Sequence, residues 1–304
     1  MNTASAPAKI IILGEHTALY GKPVLSAALD LRSHVIACRK RGGGLSVKAP
    51  SGDSPLKRSR RGMEMVRRGV KLVGGGGFDI RVQTEIPISS GLGSSASIAS
   101  ALMMALSAEA GKKWGLNDIA RAAWKCEDAV HAKSSGVDPF TVTFGGVSLY
   151  QAGKIRPVKL KERPGFVIAH SGLTHETGDI VKELEEIRKN DRARFDKFLK
   201  DSEKLALQGR DAVEGADWEK LGRLMDENHE LLKGMGVSCK ELDEMADIAR
   251  KNGAYGAKLS GAGRGGVIIA IIGENSRESV SKALSNMGKK VIEADISEEG
   301  TRKE

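Results

Sequence analysis

The stretch Pro87-Ile-Ser-Ser-Gly-Leu-Gly-Ser-Ser-Ala96 places glycine and serine at a spacing suited to holding phosphate. Gly91 and Gly93 permit backbone conformations, and a close ligand approach, that a Cβ blocks, so successive N–H groups between Ser90 and Ala96 can turn toward one anion. Ser94 and Ser95 open an Ala-, Leu- and Met-rich run that reads as a helix. Amides of a first helical turn lack intrahelical partners, and the positive end of the helix dipole favours an anion there. Taken alone, the stretch reads equally well as a Gly-Ser turn capping an ordinary helix. Gly91-x-Gly93-x-x-Ala96 also fits a loose dinucleotide fingerprint, but such a fold needs a second strand ending in an acid about 20 residues on. Here Gly111-Lys-Lys-Trp-Gly-Leu-Asn117 leads into another helical pattern instead. No GxxxxGK[ST] occurs, and Gly14 and Gly21-Lys22 have the wrong spacing for one.

Three more side chains could do chemistry beside such a loop. Lys9 lies near the start of the apolar run Ala8-Lys-Ile-Ile-Ile-Leu13, where a lysine either snorkels to water or meets an anion. Glu127 lies about 80° from Ile119 on a helical wheel, at the border of an apolar stripe, where a carboxylate usually has a partner; a salt bridge to a neighbouring base is the plain alternative. Asp138 precedes Pro139 in Ser134-Ser-Gly-Val-Asp-Pro139, where an aspartate can simply shape a turn.

These residues need elements to position them. Ala8–Leu13 reads as a strand covered on both faces, ending in the loop Gly14-Glu-His-Thr-Ala-Leu-Tyr-Gly21. Val24–Leu29, His34–Cys38 and Leu45–Ala49 read as further strands, and Phe78–Ile86 alternates at period two into the glycine loop. Asn117 is the expected N-cap of a helix through about Val130, and Phe140–Gly146 reads as strand-like. Lys154–Lys161 and Gly165–His170 then read as strands. Helices are expected near 178–189, 192–214, 218–233 and 239–252, followed by a strand at Gly266–Ile272, a helix at 276–287 and a strand from Lys290.

A chain of 304 residues can bury a substantial core in two domains or one large one. No apolar run approaches the roughly 20 residues of a membrane span, which predicts no membrane partner and a cytoplasmic location. Cys38, Cys126 and Cys239 are far apart and fit neither a disulfide framework nor a CxxC metal site. The formal net charge of +9 suits nucleic acid or small polyanions alike. Its densest cluster, Lys57-Arg58-Ser59-Arg60-Arg61, has no interleaved aromatic residues for base stacking, so a solvated basic face is the favoured reading.

Pro7-Ala-Lys-Ile-Ile-Ile-Leu-Gly-Glu-His-Thr-Ala-Leu-Tyr-Gly21, Pro87-x-x-x-Gly-Leu-Gly-Ser-Ser-Ala96 and Lys258-Leu-Ser-Gly-Ala-Gly-Arg-Gly-Gly266, in this order, resemble the three motifs of the GHMP small-molecule kinases. Within that superfamily the Gly14-Glu-His and Ser135-Gly-Val-Asp138 segments resemble the mevalonate kinases most. The likeness spans residues 7 to about 295. It implies an α/β (α+β) fold of two domains, 1–155 like domain 2 of ribosomal protein S5 and 156–304 ferredoxin-like, with the active site between them.

The resemblance also implies ATP and Mg²⁺ as cofactors. Pro87, Ser90, Gly91, Leu92, Gly93, Ser94, Ser95, Ala96, Gly261 and Gly263 would bind ATP, and Ser95 and Glu127 would hold the metal. Asp138 would take or orient the proton of the attacking hydroxyl, with Lys9 beside it. Glu15 and His16 would meet the substrate, although His16 could also be a hydrogen-bonded turn residue. The implied partners are ATP and mevalonate, phosphorylated at its primary hydroxyl in isoprenoid precursor synthesis, with no nucleic acid and no membrane; a homodimer is compatible with the family. A kinase for phosphorylated mevalonate or another small GHMP substrate is the alternative, and a basic RNA-binding protein is the non-enzymatic one, since S5-like folds also meet RNA. Two departures stand out. Arg264 interrupts the third glycine run and Val267 replaces its closing Cys; Arg264 could reach a phosphate or substrate carboxylate, or point outward. Residues 47–77 are short and basic where relatives carry a longer insertion.

Overall fold

The computed structural model describes residues 1–48, 60–87, 90–128, 134–173 and 177–304. The expected basic cluster at 57–59, and the expected continuation of a helix to Val130, lie outside the described residues.

The first sheet has seven strands. Its path runs β11 (Arg302–Lys303), β1 (Asn2–Leu13), β2 (Val24–Arg39), β4 (Phe78–Thr84) and β3 (Leu45–Lys48), with β5 (Val147–Gln151) pairing β2 and β6 (Lys154–Val158) pairing β5. The two strands expected at 24–29 and 34–38 are one. Against β1, the pairing steps from Ala8↔Leu29 to Pro7↔Arg32, so Asp30 and Leu31 form a bulge that accommodates the polar interruption. The bulge also turns β2 from one partner to another: Val24–Ala27 pair β5, whereas Ser33–Arg39 pair β4.

On this sheet lies α2 (Ser94–Glu109), preceded in the chain by α1 (Arg60–Leu72) and followed by α3 (Leu116–Glu127) and α4 (Val137–Phe144). Every residue of α2 from Ala96 to Ser107 is buried, because the sheet covers one side and the neighbouring helices the others. The helix α3 starts one turn's edge earlier than expected: Gly115 is its N-cap, and Asp118 accepts from the Gly115 amide at 3.0 Å. The stretch read as a strand at 140–146 is α4. Its β-branched residues suggested a strand, but Thr141 and Thr143 donate to Val137 O and Pro139 O one turn back, at 2.8 and 2.6 Å, and pack inside the core.

The second sheet is antiparallel, ordered β10 (Lys290–Asp295), β7 (Gly165–His170), β9 (Val267–Ile272), β8 (Gly256–Ser260). In chain order this is 4-1-3-2, the split βαβ arrangement of a ferredoxin-like fold. Four helices, α5 (Thr177–Asn190), α6 (Arg192–Gly215), α7 (Trp218–Gly234) and α8 (Lys240–Lys251), connect β7 to β8, and α9 (Arg277–Asn286) connects β9 to β10. Both faces of β9 are buried, which is why its sequence is a continuous apolar run: Ile269 and Ile271 face one cluster, Ile268, Ala270 and Ile272 another.

One apolar cluster joins the two halves. It contains Ile10, Ile12 and Leu29 from the first sheet, Phe166, Ile168 and Ile269 from the second, and Leu205 and Leu221 from α6 and α7. Each fully buried side chain of this size contributes about 1.5–3 kcal/mol, so the shared cluster binds the halves strongly. The far end of the chain adds a second tie. Thr301 Oγ1 meets Ser100 Oγ of α2 at 2.7 Å, and Arg32 Nη2 donates to Gly300 O at 2.7 Å. A boundary at 155/156 therefore passes through β6, and β11 lies in the first sheet. Among the described residues no helix is long and apolar enough to cross a membrane.

Candidate active site

Lys9 does not snorkel. It sits in the interior of β1, only 3% exposed, and its ammonium lies 3.0 Å from Asp138 Oδ2. The glycine loop is fastened to the same residue, because Lys9 N donates to Leu92 O at 3.0 Å. Gly93, the N-cap of α2, has φ 72°, and a Cβ there would stand 2.6 Å from Lys9 Cγ. Glycine at 93 is thus required twice, by backbone conformation and by the lysine stem passing under it.

Among the described residues the first amides of α2 have no backbone partner until Ser97 N donates to Gly93 O at 2.9 Å. Ser90 Oγ braces the loop by donating to Pro87 O at 2.7 Å. The Ser94 hydroxyl is buried with no hydrogen-bond partner among the described residues. Gly91 (φ 80°) packs against the third motif, since a Cβ there would meet Ser260 O at 3.3 Å, and one on Gly261 would meet Gly91 Cα at 3.6 Å. The second and third glycine runs therefore form one surface, with Ala96 buried beneath it.

Glu127, at the last turn of α3, is 4% exposed. Burial pushes its carboxyl up to about 8, the nearby Asp138 charge adds to this, and Lys9 and Ser95 oppose it. A buried carboxyl, a serine hydroxyl and the orphaned Ser94 hydroxyl form a set of hard oxygens that suits Mg²⁺.

Asp138 occupies the first turn of α4, whose N-cap Gly136 has φ 84°. Pro139 fits in that turn, where its missing N–H breaks no helical bond. The approach to Asp138 is pinned by two aromatic side chains. Trp124 Nε1 donates to Ser134 O at 3.1 Å and Tyr150 Oη donates to Ser135 O at 2.7 Å. A Cβ on Gly136 would stand 2.5 Å from Tyr150 Oη. Trp124 is one turn before Glu127 on α3, so the same helix sets the carboxyl and the turn carrying Asp138.

His16 has φ 65° and its Nε2 lies 2.9 Å from Ala262 O, tying the first loop to the third. Burial pushes the ring down to about 4, with the Ala262 carbonyl opposing and Lys258 adding to the effect. The imidazole is neutral at pH 7, so the nitrogen facing the carbonyl carries the hydrogen and Nδ1 is left as an acceptor. Glu15, expected to meet substrate, is 1% exposed and paired with Lys258, which is fully buried. Its carboxylate therefore faces a buried ammonium rather than solvent. Burial pushes Glu15 up and Lys258 down, each opposed by its partner. Lys258 had no role assigned from sequence, yet it carries the same signal as Lys9: a lysine inside a short apolar strand pattern.

Gly263 has φ 92°, and a Cβ there would stand 2.2 Å from Val237 O. Arg264 points away from the phosphate loop. It is left-handed (φ 51°), and its Nε donates to Gly236 O at 2.8 Å while the guanidinium grips Glu183 of α5, with Nη1 at 2.7 Å from Oε1.

Residues 60–146 match the GHMP kinases N terminal domain and residues 210–290 match the family GHMP kinases C terminal. The chain is 33% identical to the mevalonate kinase of Thermococcus gammatolerans, over 98% of this chain and 97% of that protein. The chain belongs to the GHMP kinase family. As a GHMP kinase it takes ATP as phosphoryl donor. The mevalonate kinase of Pyrococcus horikoshii is also 33% identical, over 98% of this chain and 96% of its own. The crystal structure of L. major mevalonate kinase in complex with R-mevalonate superposes with a TM-score of 0.86 at 26% identity, covering 96% of this chain and 94% of that one. The GHMP kinase fold accounts for the S5-like first sheet, the ferredoxin-like second sheet and the glycine surface between them.

Proposed function

We propose that this GHMP kinase transfers the γ-phosphoryl group of ATP to the primary hydroxyl of (R)-mevalonate, giving 5-phosphomevalonate for isoprenoid precursor synthesis. The observation that carries this reading is the 3.0 Å contact of Lys9 with Asp138, made by a lysine whose stem packs against Gly93 at the head of α2.

Asp138 accepts the proton of the substrate hydroxyl as its oxygen attacks the γ-phosphorus. Lys9, 3.0 Å from Asp138, offsets negative charge on the attacking oxygen. The amides at the start of α2, with Ser94, hold the phosphates in line, and the bond between the γ-phosphorus and the bridging oxygen breaks to release ADP. Ser95 and Glu127 would hold Mg²⁺, which would supply charge neutralisation to the phosphates. No phosphoenzyme is required. His16 offers Nδ1 as a hydrogen-bond acceptor to substrate, and Gly261 and Gly263 keep the third loop open to the nucleotide.

Arg264 is the residue that would suit a phosphorylated substrate, but its guanidinium is already neutralised by Glu183. The reading is tested by ADP release measured with mevalonate, phosphomevalonate, homoserine and galactose. Turnover with mevalonate is expected; turnover confined to another alcohol overturns it.

A further inference from the structure

The charged residues Glu15 and Lys258 are the two in this region that the phosphoryl-transfer chemistry does not use. Lys258 lies in the middle of β8, fully buried, and its ammonium donates to Glu15 Oε1 and to Leu259 O. Glu15 Oε2 is buried with no hydrogen-bond partner among the described residues. A buried ion pair with one oxygen unsatisfied is a poor source of stability, because apolar side chains of similar size do as well or better. What the pair does supply is a fixed direction.

The surroundings show what that direction controls. Residues 11–16 are joined to α7, β8 and the third glycine run by a seam of polar links. Ile11 N donates to Ser260 Oγ at 3.1 Å, Gly14 N donates to Asn228 Oδ1 at 3.1 Å, and His16 Nε2 meets Ala262 O at 2.9 Å. Glu15 is between the last two of these, adjacent to a left-handed His16. Lys258 is two residues before Ser260, whose carbonyl abuts Gly91 of the phosphate loop.

We propose that Lys258 is a positioning residue: through its buried pair with Glu15 it sets the register between the Gly14–His16 loop, which meets the alcohol substrate, and the Gly261–Gly263 loop, which meets the nucleotide. Lys258 touches neither ligand and acts through Glu15. This inference rests on the kinase reading above.

The deciding experiment replaces both charges by apolar chains of similar length, in the K258M/E15M double variant. The expected result is a melting temperature at or above that of the wild type, with kcat/KM for mevalonate at least tenfold lower, most of the loss in the KM for mevalonate. A double variant that melts like the wild type and keeps kcat/KM within threefold overturns the proposal, because the pair would then be packing alone. Should the double variant not fold, K258R is measured against K258M. Recovery of at least a third of wild-type kcat/KM by K258R alone is expected, since arginine keeps the cation and the donors; equal activity in the two overturns it. Wild-type turnover tests the kinase reading separately. If the wild type acts on another alcohol, the same ratios are read with that alcohol, so each idea fails on its own result.

Discussion

The ammonium of Lys9 lies 3.0 Å from the carboxylate of Asp138, joining the first strand to a helix from the middle of the chain. Replacing Asp138 by Asn keeps the shape and removes the base. General-base catalysis contributes about 10²–10⁴-fold, so kcat for Asp138→Asn is expected to fall by that range while ATP affinity stays within about threefold. Stopped-flow or coupled turnover together with nucleotide titration measures both; unchanged kcat removes Asp138 from the reaction. Lys9→Met is expected to lose less, because Asp138 remains in place.

Gly93 and Gly91 make a graded pair. A Cβ at 93 would collide with the Lys9 stem at 2.6 Å, whereas one at 91 meets Ser260 O at 3.3 Å. Both alanines also carry the left-handed penalty of about 1–2 kcal/mol. Gly93→Ala is therefore expected to lose far more activity than Gly91→Ala at a similar loss of melting temperature. Equal kinetic losses would show that Lys9 is not held by the glycine.

Glu127 should make metal binding pH-dependent. Burial pushes its carboxyl up to about 8, and Mg²⁺ requires the ionised form. The apparent affinity for Mg²⁺ is expected to rise about tenfold per pH unit from pH 6 to 7.5 and to level off above 8. For stability the sign is opposite. The folded pKa lies above the unfolded one, so this group's contribution is fully present below about 4.5 and is lost as pH rises through 8. Glu127→Gln should raise the melting temperature of the metal-free protein at pH 9 by a few degrees, and leave it nearly unchanged at pH 4.5. Thermal melts at the two pH values without metal check this.

Arg264 breaks the third glycine run without entering the phosphate site. Its pair with Glu183 is partly exposed, and such pairs contribute about 0–1 kcal/mol. Glycine at this left-handed position relieves strain that arginine carries. Arg264→Gly is expected to keep kcat/KM within about threefold and to shift the melting temperature little. A large rise in the KM for ATP would place the guanidinium on the nucleotide after all.

Cys126 is buried and its thiol is pushed up to about 12, so it should resist thiol reagents in the folded protein. Ellman titration is expected to register Cys38 and Cys239 first, and Cys126 only in denaturant.

Much of this site could be read from residue order. The glycine loop opening a helix, the out-of-place Lys9 and the stripe-edge Glu127 each carry a local signal, and the structure brings all three together with Asp138. Two elements were misread for identifiable reasons. Thr141, Val142 and Thr143 favour a strand locally, but hydroxyls that bond within the helix and burial on all sides override that preference. Val24–Leu29 and His34–Cys38 read as two strands rather than one because a bulge has no sequence pattern of its own. The pairing of Glu15 with Lys258 has no signal in the sequence, because Lys258 lies on a strand from the other half and no local spacing links position 15 to position 258. The same holds for Trp124 and Tyr150, whose bonds to the Ser134–Ser135 turn exist only once helix and sheet have packed.

The strand at 302–303, and Thr301 just before it, impose a schedule on synthesis. Ser100 and Thr143 belong to helices made early, yet the hydroxyl network they share closes only when Thr301 has left the ribosome. At about 5–20 residues per second, the first sheet waits about 8–30 s with that edge uncovered.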